Sequence, residues 1–325
     1  MFAPKNHPET LRIVTGKSKP VPTSKIQSAL QEQWDLFNSS VAKSATENQI
    51  AKKSSPLGVQ SSFQHWDPFP ISIKSARGAW MEDVDGRKVL DLSMGFGAML
   101  AGHLNPVVVE EVKKMLEIGT LFVTPSPQTR DAAERICRRF GLDQVRFTNS
   151  GTESTMYAIR TARGFTGKNG VVELEGGYHG SYDALSVSVK PPLNEAGPAS
   201  DPTPVVQSSA VPGEIHVIPY NDADALERTL KKHASTTACF ILEPVMENIG
   251  IVLPDQGYLE QVRALCDKYE VVLIFDEVKT GLTAGYQESF RARYVSKLAA
   301  RERAWSFCVE LSAGPALATP RCGAC

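Results

Sequence analysis

Residues 271–281, VVLIFDEVKTG, decide the fold class of this chain. Five apolar residues, Val271 to Phe275, lead directly into the acidic pair Asp276 and Glu277. An unbroken apolar run of this length is typical of a strand buried on both faces, as in a parallel sheet covered by helices. Ligands of such sheets bind at the carboxyl ends of the strands. Asp276 is therefore predicted at a binding edge, although an aspartate that only caps the next turn fits the same letters.

The segments before this strand alternate between helical and extended patterns. Helices are predicted over 127–140, 152–164, 222–233 and 257–269, and strands over 144–148, 170–175 and 238–242. This βαβ order predicts an α/β fold with a mostly parallel sheet flanked by helices. A segment with six prolines, 190–213, interrupts the order, and loops of this length are functional or disordered.

The N-terminal third has a different organisation. Apolar residues at helical spacing predict one amphipathic helix from residue 24 to about 53. A hairpin turning at Asp85-Gly86 follows, and Asn105-Pro106 begins a helix through Ile118. The predicted domains are a disordered N-terminus (1–22), a small-domain segment (23–104), a large α/β domain (105–287) and an atypical tail (288–325).

Composition excludes several function classes. The chain has 325 residues, 42% of them hydrophobic and 22% charged, with a formal net charge of -1. This balance does not suggest a nucleic-acid or membrane surface. No apolar run reaches the roughly 18 residues of a spanning helix, and the N-terminus lacks a signal-peptide core, so a cytoplasmic protein is expected. The six cysteines lack metal-ligand spacing, and no metal site is predicted.

Polar residues follow each predicted strand of the large domain. After 144–148 comes a Ser150-Gly151-Thr152 turn and then a helix, which is a ready anion site, although Ser150 with Glu153 is also an ordinary capping box. Tyr178 and His179 follow the next strand, and an aromatic ring there can stack on a flat ligand or simply pack in the loop.

Two further strand ends complete this set. Asn248 offers an amide after 238–242, and Asp276 offers a carboxylate. An anion site, an aromatic ring, an amide and a carboxylate together suit a planar, phosphorylated, cationic heteroaromatic cofactor. Pyridoxal 5'-phosphate (PLP) fits, because its phosphate binds at a helix N-terminus and its protonated ring nitrogen pairs with an aspartate.

Four motifs in order, NSGTES, EGGYHGSYDA, ILEPVMENIG and IFDEVKTG, resemble the subgroup III aminotransferases of PLP fold type I. This family includes glutamate-1-semialdehyde aminomutase and related aminotransferases, and the resemblance covers about residues 25–287. It implies the following cofactor contacts: phosphate at Ser150, Gly151 and Thr152, ring stacking by Tyr178 beside His179, ring oxygen near Asn248, ring nitrogen on Asp276, and ring packing by Val278.

The resemblance also implies an activity and partners. The expected function is a PLP-dependent aminotransferase or aminomutase that moves nitrogen from an amino acid or amine donor to a keto or aldehyde acceptor. Such proteins are expected to be homodimers. The sequence does not distinguish this function from that of a racemase with the same fold.

One departure from the family leaves a second hypothesis open. The family holds its cofactor as a Schiff base on a lysine in a Gly-rich loop, and no such loop follows Gln287. Lys279 is too close to Asp276, and Lys297 lies in an Arg/Ala-rich context. The alternative is therefore a truncated, non-catalytic relative that binds PLP weakly or pairs with a full-length partner.

Overall fold

A computed structural model describes residues 22–206 and 214–283, together with the backbone of 306–308 and 316–317. Residues 1–21, Lys297 and most of the tail after 288 lie outside this description. The chain forms two compact units, which divide between residues 120 and 121. The predicted domain bounds stay a prediction.

Among its described residues, the first unit contains three α-helices and three short strands. They are α1 (Thr23–Ser40), α2 (Ala42–Ala51), β1 (Ile73–Arg77), β2 (Trp80–Asp83), β3 (Lys88–Leu90) and α3 (Pro106–Ile118). The strands form an antiparallel sheet in the order β1-β2-β3, and the predicted turn at Asp85-Gly86 joins β2 to β3. The side chain of Asn105 caps α3 by accepting from the amide of Val107 at 3.0 Å.

The prediction of one helix over 24–53 is wrong. The chain leaves helical geometry at Val41 (φ −132°, ψ 37°), whose side chain is fully buried. The Asp85 carboxylate then accepts from the amides of Lys43 at 2.8 Å and Ser44 at 3.1 Å, at the start of α2. A cap from a distant turn therefore begins a second helix, and helical periodicity does not register such a contact.

The second unit is the predicted α/β part. Its helices are α4 (Pro127–Phe140), α5 (Gly151–Thr166), α6 (Ala223–His233), α7 (Tyr258–Lys268) and the single turn α8 (Thr280–Thr283). Its strands are β4 (Arg146–Phe147), β5 (Gly170–Leu174), β6 (Ile215–Ile218), β7 (Thr237–Leu242), β8 (Val272–Phe275), β9 (Ser306–Cys308) and β10 (Ala316–Leu317). Five strands form one parallel sheet in the order β6-β5-β7-β8-β9.

Helices cover both faces of this sheet. Residues of α5, such as Ile159, pack on one face against Val171 and Ile274. Residues of α6 and α7 pack on the other face, where Leu226 joins Phe240. Every residue of β5, β7 and β8 is buried. The apolar run that decides the fold class is thus a strand buried on both faces, as predicted.

Three details of the sheet differ from the prediction. The strand expected over 144–148 is reduced to β4, which pairs antiparallel with β10 outside the parallel sheet. The edge strand β6 was not predicted, because its four residues follow a Pro-rich segment without a helix between them. The tail, for which no strand was predicted, contributes β9, which pairs with β8.

Among the described residues, no helix is both long enough and apolar enough to span a bilayer. The cytoplasmic location stays a prediction.

Candidate functional site

The centre of the candidate site is a buried ion pair at the carboxyl edge of the parallel sheet. Asp276 follows β8 directly, and its Oδ2 atom lies 2.7 Å from Nδ1 of His179, which lies beyond β5. The other carboxylate oxygen accepts from the amide of Val278 at 3.1 Å. The side chain of His179 is fully buried and that of Asp276 is 5% exposed. Parallel strands bring these two sequence-predicted residues together, as expected.

A second carboxylate ties the neighbouring loops together. Glu243, which follows β7, accepts from the amide of Tyr178 at 3.1 Å and from the amide of Glu247 at 3.0 Å. Because β7 lies between β5 and β8, Glu243 braces the loop that presents Tyr178 and His179. The loops after three adjacent strands therefore form one connected edge.

The amino end of α5 forms the anion-binding part. Ser150 accepts from the amide of Glu153 at 3.2 Å, and Glu153 in turn accepts from the amide of Asn149 at 2.8 Å. This is the predicted capping box, so that reading of Ser150 is confirmed. The amides of Gly151 and Thr152, at the first helical positions, have no intrahelical acceptor and are available to an anion.

Two glycines permit the close contacts around this helix end. A side chain on Gly151 would place its Cβ 3.1 Å from the Val278 side chain, so the helix end and the Asp276 loop are adjacent. Gly180 has φ +93°, and a Cβ there would lie 2.7 Å from the Thr152 Cα atom. Thr152 also accepts from the amide of Ser181 at 3.1 Å. The loop after His179 is thus packed directly on α5.

The two remaining predicted residues lie in the same loops. Asn248 donates from Nδ2 to the carbonyl of Gly176 at 2.9 Å, and Val189 O lies 3.5 Å from the same atom. Tyr178 is half-buried, between the buried residues Gly177 and His179. Their contacts with a cofactor stay a prediction.

The charged side chains at the carboxyl edge of the sheet change the pKa values of His179 and Glu243. Burial opposes the protonation of His179, but the hydrogen bond and the negative charge of Asp276 outweigh it, so the pKa of His179 is raised. Burial raises the pKa of Glu243, and the nearby Asp276 carboxylate adds to this effect. The protonated form of His179 is therefore favoured, and its Nδ1 atom contacts Asp276.

Sequence reasoning missed two residues of this site. Thr155 donates its hydroxyl to the carbonyl of His179 at 2.7 Å, a tertiary contact with no local sequence signal. Glu173 lies inside β5 and burial raises its pKa to about 8, which the His179 charge partly counteracts. Neither carboxyl oxygen of Glu173 has a hydrogen-bond partner in the described part of the chain. An acidic residue within the apolar run VVEL was the available signal.

A parallel α/β sheet with an uncovered helix N-terminus and a buried carboxylate at its carboxyl edge is the arrangement at which α/β proteins bind ligands. Residues 62–286 match the family Aminotransferase class-III. The chain belongs to this family.

Two curated relatives share one name. The chain is 43% identical over 240 residues to glutamate-1-semialdehyde 2,1-aminomutase of Methanocorpusculum labreanum, covering 72% of this chain and 56% of the relative. It is 38% identical over 267 residues to the enzyme of the same name from Methanothrix thermoacetophila, covering 80% and 60%. The chain thus spans less than two thirds of the length of these relatives.

Solved structures agree on the fold. A transaminase with PLP bound has a TM-score of 0.75 at 29% identity, covering 86% of this chain and 65% of its own. An omega-transaminase from Sphaerobacter thermophilus has a TM-score of 0.74 at 28% identity, covering 85% and 64%. The glutamate-1-semialdehyde aminomutase of Pseudomonas aeruginosa PAO1 has a TM-score of 0.77 at 23% identity, covering 92% and 65%.

Proposed function

We propose that this chain binds pyridoxal 5'-phosphate at the carboxyl edge of its parallel sheet and supports aminotransferase or aminomutase chemistry. The substrates are an amino acid or amine donor and a keto or aldehyde acceptor. The observation behind this proposal is the buried Asp276, whose Oδ2 atom lies 2.7 Å from Nδ1 of His179. A carboxylate in such a place needs a cationic partner, and a protonated ring nitrogen meets that need.

The residues present fit the cofactor. The amides of Gly151 and Thr152 and the positive end of α5 suit the phosphate dianion. Gly151 has no side chain where Val278 approaches, so the helix end and the Asp276 loop, two parts of the proposed cofactor site, lie close together. When bound, PLP supplies an electron sink for negative charge that develops on the substrate carbon beside the transferred nitrogen.

Each residue has a separate task in this proposal. Asp276 holds the proton on the ring nitrogen, and His179 orients Asp276 by occupying its Oδ2 atom. Tyr178 and Val278 would hold the ring. Asn248 would lie near the ring oxygen while its Nδ2 donates to the carbonyl of Gly176. The amides of the phosphate site, Ser150 to Thr152, would bind the phosphate oxygens.

A binding titration tests this proposal. Purified protein is titrated with PLP and followed by absorbance and by equilibrium dialysis. The unmodified chain is expected to bind saturably. Asp276→Asn, which keeps the shape but removes the charge, is expected to weaken binding at least about tenfold, since a charge-assisted contact contributes about 1.5–3 kcal/mol. Asp255→Asn, at an exposed loop position, is the matched control.

Borohydride reduction and peptide mapping then separate the two functional hypotheses. A labelled lysine, whether Lys279 or Lys297, together with transfer of nitrogen to an acceptor, supports the enzyme. Saturable PLP binding without a labelled lysine supports a non-catalytic relative. Equal binding by the unmodified chain and Asp276→Asn contradicts the assignment of Asp276.

We also propose that this chain forms a homodimer. It is supported by exposed apolar side chains along α3, among them Val108 and Val112, both 53% exposed, and Leu116, 62% exposed. A large apolar face on a helix is typical of a protein interface. Light scattering is expected to give a dimer mass for the unmodified chain and a monomer mass for Val112→Glu. A monomer mass for both proteins contradicts the dimer.

A further inference from the structure

Three metal-ligating side chains lie together in the second unit, away from the site described above. Oε1 of Glu214 lies 3.0 Å from Nε2 of His216 and 3.3 Å from Nδ1 of His233. The three ligand atoms all lie within 4.8 Å of one another. One carboxylate oxygen is therefore shared by two imidazoles, and all three side chains are partly exposed, by 20–35%.

The fold explains why these residues meet. Glu214 and His216 flank the first residue of the edge strand β6, and residues two apart on a strand point to the same face. His233 is the last residue of α6, the helix that runs back from the carboxyl end of β6 to its amino end. The cluster is thus at the amino edge of the sheet, while Asp276 is at the carboxyl edge.

We propose that Glu214, His216 and His233 bind one divalent transition-metal ion of the Zn²⁺ class. Two imidazoles and one carboxylate are a common protein ligand set for Zn²⁺. The bound ion would join the edge strand β6 to the end of α6. A fourth position remains for water, since the residues supply three ligands.

Two of the three distances between ligand atoms match those of such a site. Ligand atoms about 2.0–2.1 Å from a tetrahedral ion lie about 3.3 Å from each other, close to the 3.0 and 3.3 Å observed here. The two imidazole rings have centroids 4.0 Å apart at 33°. The centroids of two imidazole rings bound to one tetrahedral ion lie about 5 Å apart. The distance between the two ring centroids would therefore increase by about 1 Å on binding. Their partial exposure permits this movement.

A second contact fixes the carboxylate. The hydroxyl of Thr236 donates to the same Glu214 oxygen at 2.8 Å. Hydrogen bonds of this kind orient metal-ligating carboxylates and raise affinity. Without an ion, the same groups form a His-Glu-His hydrogen-bonded cluster.

Thiols complicate a metal measurement, because Cys322 and Cys325 form a CxxC pair. All proteins in the test therefore carry Cys322→Ser and Cys325→Ser. Zn²⁺ binding is measured by equilibrium dialysis with metal analysis, Co²⁺ binding by visible absorbance, and thermal unfolding with and without Zn²⁺. The measurements are made with and without PLP, and the distant location predicts the same stoichiometry in both.

The expected result is one equivalent of Zn²⁺ per chain, visible Co²⁺ bands and a higher Tm with Zn²⁺. His233→Gln is expected to weaken binding at least about tenfold, and Thr236→Val by less. His65→Gln, a histidine of the first unit, is the matched control and is expected to bind like the parent.

Two outcomes would overturn the proposal. One is no saturable Zn²⁺ binding by the parent, which leaves the cluster as a structural ion pair only. The other is equal binding by the parent and His233→Gln. Circular dichroism confirms that each variant is folded. Because PLP binding is scored separately by its own absorbance, failure of this proposal and failure of the proposed function are distinguishable.

Discussion

The Nδ1 atom of His179 lies 2.7 Å from the Oδ2 atom of Asp276, although the two residues are 97 positions apart in the chain. The sheet order explains the contact, since the strands that precede them, β5 and β8, are separated only by β7. The ion pair therefore spans one strand and fixes two loops of the candidate site to each other. Both side chains of the pair are buried, and a buried charge is stable only beside an opposite charge.

Removal of one partner should be costly. His179→Leu leaves Asp276 buried without its imidazolium, and the free energy of unfolding is expected to fall by about 3–5 kcal/mol. The measurement is urea denaturation followed by circular dichroism. PLP affinity is expected to fall as well, because Asp276 loses the group that orients it.

A double variant separates charge from packing. His179→Leu with Asp276→Leu removes both charges and is expected to recover much of the lost stability, but not PLP binding. His65→Leu, outside this unit, is the single-site control. If the double variant is as unstable as the sum of two single losses, then packing and not the unpaired charge causes the effect.

The hydroxyl of Thr155 should be needed to hold the His179 backbone. It donates to the carbonyl of His179 at 2.7 Å in a buried environment. Thr155→Val keeps the shape but leaves that carbonyl without a donor, so we expect a loss of about 1–3 kcal/mol. Thr155→Ser restores the hydroxyl and should recover most of the loss in the same urea experiment. Equal stability of the valine and serine variants would contradict this role.

Substitution by alanine is expected to have opposite effects on stability at two glycines. Gly180→Ala is expected to destabilise by about 1–3 kcal/mol, because φ is +93° and the new Cβ would lie 2.7 Å from the Thr152 backbone. Gly164→Ala lies in α5 with no atom within 4 Å of its Cβ, and should stabilise by up to about 1 kcal/mol. Thermal unfolding of the two variants beside the parent tests both signs.

Much of this site was predictable because strand ends are predictable. Apolar runs such as 271–275 locate buried parallel strands, and the residues after them must meet at one edge. His179 and Asp276 were identified in that way. The pairing of Thr155 with His179 was not, since it depends on how α5 packs on a loop 24 residues away.

The end of α1 and the strand β6 were not predicted for the same reason, since both depend on contacts between distant parts of the chain. The end of α1 at Val41 depends on a carboxylate from Asp85, more than 40 residues away. The strand β6 is only four residues long, and its pairing with β5 is set by the sheet. In each case a tertiary contact, and not a local pattern, selects the backbone conformation.

The buried carboxyl group of Glu173 should make the stability of the protein depend on pH. Burial raises its pKa from 4.5 to about 8, so the folded protein keeps this proton to a higher pH than the unfolded chain does. Between these two values unfolding releases a proton, and the free energy of unfolding falls as pH rises, by up to about 1.4 kcal/mol per pH unit. The stability that this proton contributes is present in full only below pH 4.5 and is lost as pH rises through about 8.

Glu173→Gln keeps the size of the side chain and removes this titration, so its slope should be shallower than that of the parent, with the part from the raised pKa of Glu243 remaining. Urea unfolding from pH 5 to 6.5 is the informative range, because the raised pKa of His179 adds a slope of the same sign only at higher pH. Glu195→Gln, at an exposed position, is the matched control and should keep the parent slope. A parent whose stability rises through this range, or a Glu173→Gln slope equal to that of the parent, would show that Glu173 is ionised in the folded state.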